Sequence, residues 1–97
     1  MTEIHHHGKQ PIISCFELTV DKNAFVVGKA VRDIIWPHTT IIRSITYGQN
    51  GHEVMDDGEQ HLYAGDKVVI QVCYYEEEEL LQQLKGLVGE LSIVKKQ

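Results

Sequence analysis

Residues 67–75 alternate without a break. Val68, Ile70, Val72 and Tyr74 stand on one side, and Val69, Gln71, Cys73 and Tyr75 on the other. A period of two over this length fits a strand and excludes an amphipathic helix. A strand with an apolar side needs hydrogen-bonded neighbours and a second layer to cover that side, so it constrains everything around it.

The neighbours are legible. Residues 12–20 alternate again, with Ile12, Phe16, Leu18 and Val20 on one face, broken by Ser14. Asp21-Lys22-Asn23 then reads as a turn. Residues 39–47 are rich in β-branched side chains and read as a further strand. Gly48-Gln49-Asn50-Gly51 follows as a turn, because Asn-Gly readily takes positive φ. Residues 52–55 complete the hairpin, and Asp56-Asp57-Gly58 turn the chain again.

The second layer comes from helical periodicity. Leu80, Leu81, Leu84, Leu87, Val88 and Leu91 recur at helical spacing after Glu76. Glu76 to Glu79 suit the positive end of the helix dipole, and Lys95-Lys96 suit the far end. Gly86 and Gly89 weaken this helix and mark either a close approach or a fraying end. A shorter helix is expected over 28–35, where Val31, Ile34 and Ile35 share a face and Pro37 forbids continuation. The expected order is strand, helix, strand, strand, strand, helix. That is an α+β domain with a mostly antiparallel meander.

With 97 residues the chain is one domain. A domain this small buries only about 60–65% of its unfolded surface, so association would help it. Residues 1–10, with His5-His6-His7, read as a flexible lead-in, and 11–97 as the domain. Apolar strand positions such as Ile42 and Val69 are expected to be covered by a second copy, giving a homodimer.

A net charge of −5 argues against a nucleic-acid binder, which needs a basic face. No apolar run approaches the roughly 18–20 residues that span a bilayer, and no apolar signal segment follows Met1. Cys15 and Cys73 read as reduced, half-buried core thiols, which suits a cytosolic compartment.

Catalytic motifs are missing. There is no phosphate-binding Gly-x-x-x-x-Gly-Lys loop and no Gly-x-Gly-x-x-Gly after a strand. His52-Glu53 begins like a zinc-protease motif, but Asp56 stands where the second His belongs. Ser14, Ser44 and Ser92 lie in no nucleophile elbow. The expectation is a protein that is not an enzyme, with no cofactor and no metal site.

Three pieces of the chain resemble the TrkA-C family, the C-terminal domain of regulators of potassium conductance. They are Phe25-Val26-Val27-Gly28-Lys29-Ala30-Val31, Thr40-Ile41-Ile42-Arg43-Ser44-Ile45, and Leu62-Tyr63-Ala64-Gly65-Asp66-Lys67-Val68-Val69-Ile70. The last is similar to the family's Leu-x-x-Gly-Asp turn into its final strand. One departure is the absence of the family's frequent loop proline at Met55-Asp56. The resemblance implies a cytoplasmic regulatory module appended to a membrane-embedded potassium, cation/proton or ClC-type chloride transporter or channel. Such modules pair into dimers, and a subset binds cyclic di-AMP across the dimer cleft.

The residues can be weighed against such a ligand. Each phosphate needs a cation or backbone donors, and each base needs apolar surface. Arg43 interrupts an apolar strand, so it lies on the solvent face or meets a phosphate. Ile41 and Ile42 are candidates to hold a base. Asn50 and His52 are candidates to hydrogen-bond one, set against the readings of Asn50 as a turn former and of His52, like His38, as a surface or rim histidine. The alternative function is a structural dimerisation module without a ligand.

Overall fold

The computed structural model describes residues 10–37, 39–90 and 93–96. It is an α+β domain built from one antiparallel sheet of five strands and one α-helix. The strands are β1 (Ile12–Thr19), β2 (Thr40–Thr46), β3 (Glu53–Val54), β4 (Lys67–Tyr74) and β5 (Ile93–Lys96). Helix α1 spans Glu77–Val88. The lead-in histidines, His38 and Leu91 lie outside the described residues.

The strand order is β3-β2-β4-β1-β5. The expected meander is therefore corrected: only β2 and β3 form a hairpin, and β4 inserts between β2 and β1. The physical reason is burial. β4 offers the longest unbroken apolar side, so it takes the centre, paired with β1 from Ile12↔Tyr74 to Thr19↔Lys67 and with β2 on its other edge.

That register puts Phe16 and Leu18 of β1 beside Val68, Ile70 and Val72 of β4, all at most 1% exposed. Leu80, Leu84 and Val88 of α1 close the layer from above. The polar break at Ser14 is satisfied, because its hydroxyl meets the Tyr74 hydroxyl at 2.9 Å. Ile12, expected inward, is exposed at the sheet's end.

The helix expected over 28–35 is a single 3-10 turn, Val31–Asp33. The amides of Gly28, Val31 and Arg32 donate instead to the carbonyls of Leu62, Gln60 and Gly58, at 2.6, 2.8 and 3.2 Å. Inter-segment pairing has replaced the i→i−4 ladder. Ile34 is consequently extended and buried, while Ile35 faces outward, 91% exposed.

Helix α1 stops at Val88, where Gly89 takes φ +106. A Cβ at Gly89 would collide with the Asp21 carboxylate, so this glycine does mark a close approach. At Gly86 a Cβ would meet nothing within 4 Å. Lys95 and Lys96 do not extend the helix; they belong to β5, which pairs with β1 from Leu18↔Ile93 to Cys15↔Lys96.

One sheet face carries α1 and the connecting segments, and no described segment covers the other. Cys15 and Cys73 are free and half-buried, but they lie on the uncovered face rather than in the core. Ile42 and Val69 are half-buried rather than exposed, and Ile42 packs against the core beside Ile70. No described helix is long and apolar enough to cross a membrane.

Candidate functional site

Strand β2 carries three of the five candidate residues. Its pairing with β4 runs Thr40↔Val72, Ile41↔Gln71, Ile42↔Ile70, then resumes at Ser44↔Val69. Arg43 is the extra residue of this bulge. A bulge bends the strand and re-aims the side chain that it carries. It explains how an arginine fits inside an apolar strand: Arg43 is exposed, and no ion pair engages it among the described residues. The edge helps too, because among the described residues β3 covers only Ile45 and Thr46 of β2.

The neighbours diverge. Ile41 lies on the uncovered sheet face beside Gln71, 50% exposed, whereas Ile42 points to the core. These two cannot flank one base within a single chain.

Asn50 and His52 sit in the hairpin turn beyond the far end of β2. Asn50 Oδ1 accepts the His52 backbone amide at 2.8 Å, and Gly51 between them takes φ +73. The Asn50 side chain therefore works as a turn lock, with its Nδ2 group left as the donor for any base. Asn50 also borders a groove of about 740 Å³ with Tyr47, Tyr63 and His61. Ile41, Ile42, Arg43 and His52 do not line that groove. The candidates thus form a strip along β2 and its turn, not an enclosed pocket.

The Leu-x-x-Gly-Asp turn is structural. Leu62 is fully buried, and Gly65 takes φ +90. Asp66 is buried, and its carboxylate accepts the amides of Gly48 at 2.8 Å and Tyr63 at 2.9 Å. A Cβ on Gly48 would stand 2.6 Å from the Gly65 carbonyl oxygen. This lock holds the β2–β3 hairpin against the turn into β4.

Thr39, just before β2, takes φ +63, a conformation rare for a β-branched residue. Its hydroxyl donates to the Cys73 carbonyl at 2.7 Å. Beside it runs a groove that sequence reasoning missed, lined by Pro37, Tyr74, Glu79 and Leu80, with a second groove adjoining it at Phe25, Ile35 and Trp36. The available signal was Ile35-Trp36-Pro37, three apolar residues read only as the end of a helix.

Glu77 and Lys95 have displaced ionisation. The Lys95 hydrogen bond, helped by the Tyr74 hydroxyl, holds the Glu77 carboxyl below its usual range, and the same bond raises Lys95. This pair ties α1 to β5 and lies on the side away from Arg43's strand edge. No group of three metal-ligating side chains occurs among the described residues.

No known family model matches the sequence, and no curated protein matches it.

Proposed function

We propose that the chain is a cytosolic regulatory, ligand-sensing domain of an ion channel or transporter of the potassium, cation/proton or ClC-type chloride kind. It acts as a homodimer attached to a membrane-embedded domain, is not an enzyme, and does not bind nucleic acid. Its ligand is a small double anion, cyclic di-AMP by the TrkA-C resemblance, held at the dimer interface. Ile41, Ile42, Arg43, Asn50 and His52 are the residues proposed to meet it.

The observation that carries this reading is the exposed Arg43 on its bulge, beside a stretch of β2 edge that no described strand covers. A guanidinium matches a phosphate through two parallel hydrogen bonds. A two-fold axis supplies a second copy for the second phosphate. The chain's charge of −5 repels anions in bulk, so affinity must come from such local donors.

A structural dimerisation module without a ligand is the second reading. It is favoured by the opposite directions of Ile41 and Ile42, which leave no base slot inside one chain. A thermal-shift screen against cyclic dinucleotides, mononucleotides and divalent metals separates the two. A rise in melting temperature with cyclic di-AMP alone supports the sensor. A flat response to every compound supports the structural module.

A further inference from the structure

Asn50 and Gly51 meet the requirements of a spontaneous backbone reaction. The chain has two asparagines, and only Asn50 precedes a glycine; Asn23 precedes Ala24. Asn50 and Gly51 are both exposed in the turn between β2 and β3. Gly51 takes φ +73, and a Cβ there would meet nothing within 4 Å, so the turn is open on that side. The Asn50 side-chain oxygen Oδ1 accepts the His52 amide at 2.8 Å. That bond draws electrons from Asn50 Cγ and makes it a better electrophile.

We propose that Asn50-Gly51 is a self-modification site, at which the chain deamidates itself and the hairpin sets the rate. The Gly51 backbone nitrogen gives its proton to water or hydroxide and attacks Asn50 Cγ. A new N–Cγ bond closes a cyclic imide. The Cγ–Nδ2 bond breaks, and Nδ2 takes up a proton and leaves as ammonia. Negative charge gathers on Oδ1 during the attack, where the His52 amide already stands to stabilise it. Water then opens the imide. Addition at Cγ gives aspartate; addition at the Asn50 backbone carbonyl gives isoaspartate, whose main chain runs through the former side chain. Nothing is oxidised or reduced, and water is the only co-reactant.

The fold also holds this step back. The Gly51 amide donates to the Tyr47 carbonyl at 2.8 Å, and the Tyr47 amide donates to the His52 carbonyl at 2.9 Å. The nucleophile is engaged while the hairpin is closed, so attack waits for the Gly51–Tyr47 bond to open. Asp66 secures the closed form by accepting the neighbouring Gly48 amide. The two products part ways. Aspartate keeps a side-chain oxygen for the His52 amide and adds one negative charge to a chain already at −5. Isoaspartate lengthens the backbone between Tyr47 and His52 and loosens their pairing. No ligand takes part, so the site goes beyond the sensor reading and does not depend on it.

Peptide mass spectrometry of the full chain, held in mildly alkaline buffer at body temperature, tests this. Trypsin releases residues 44–67 with Asn50 and residues 23–29 with Asn23. The first peptide should gain about 1 Da, located to Asn50 by fragmentation, and separate into aspartate and isoaspartate species. The second should stay unchanged. Asn50→Gln should abolish the gain. Asp66→Ala, checked by circular dichroism to be folded, should speed it about twofold or more, and the wild type unfolded in urea should react faster still. No gain in the folded wild type, over a time in which the unfolded chain converts, would overturn the site. Equal rates in the folded and unfolded wild type, or in the wild type and folded Asp66→Ala, would overturn the control by the hairpin.

Discussion

Lys95 Nζ donates to Glu77 Oε1 at 2.8 Å, and the Tyr74 hydroxyl donates to the same oxygen at 3.1 Å. One carboxylate oxygen thereby joins β5, α1 and β4. The folded Glu77 titrates below its ordinary 4.5, and Lys95 above its ordinary 10.5. The Glu77 contribution is thus present above 4.5 and lost as pH falls through its lower folded value. The Lys95 contribution is present below 10.5 and lost as pH rises through its higher folded value. Both act at neutral pH. Glu77→Gln should lower the melting temperature slightly at neutral pH, and the two melting curves should converge in acid. Both side chains are part-exposed, so added salt should shrink the difference.

Leu84 sits at the centre of the helix stripe and is fully buried. Leu84→Ala removes most of that side chain and leaves a cavity, which should cost about 2–5 kcal/mol. Denaturant titration followed by circular dichroism reads this as a lower midpoint. An unchanged midpoint would show that α1 is peripheral to stability.

Asp66 receives two backbone amides in a buried setting. Asp66→Ala strands both donors, with an expected cost of about 1–3 kcal/mol. Hydrogen exchange should show faster opening at Gly48 and Tyr63 than in the wild type. Unchanged exchange there would mean that the carboxylate does not hold the hairpin.

What was legible follows from what each segment's partners are. The alternation of β1 and β4 and the leucine stripe of α1 are local patterns that burial enforces, so they survived folding. The segment from Gly28 to Ile35 carried a helical spacing too, but it is short, and a short helix gains little for its nucleation cost. Its amides found the carbonyls of Gly58, Gln60 and Leu62, a long-range pairing that no local pattern announces. β5 was hidden similarly, since Lys95 and Lys96 looked like a dipole-matched helix end, whereas the helix ends at Gly89 and the two lysines pair with β1. Of the candidate site, Arg43's exposure followed from its charge. The bulge that aims it depends on a register with β4 and could not be read from β2 alone.

The central claim, an anion sensor reading its ligand through Arg43, is tested most directly by calorimetric titration of cyclic di-AMP into the wild type and Arg43→Ala. The wild type should release or absorb heat with saturation at one ligand per dimer. Arg43→Ala should bind more weakly by about tenfold or more, about 1.4 kcal/mol, with its fold intact. Absence of binding heat from the wild type at about 100 µM, a concentration at which micromolar affinity is plain, would contradict the claim.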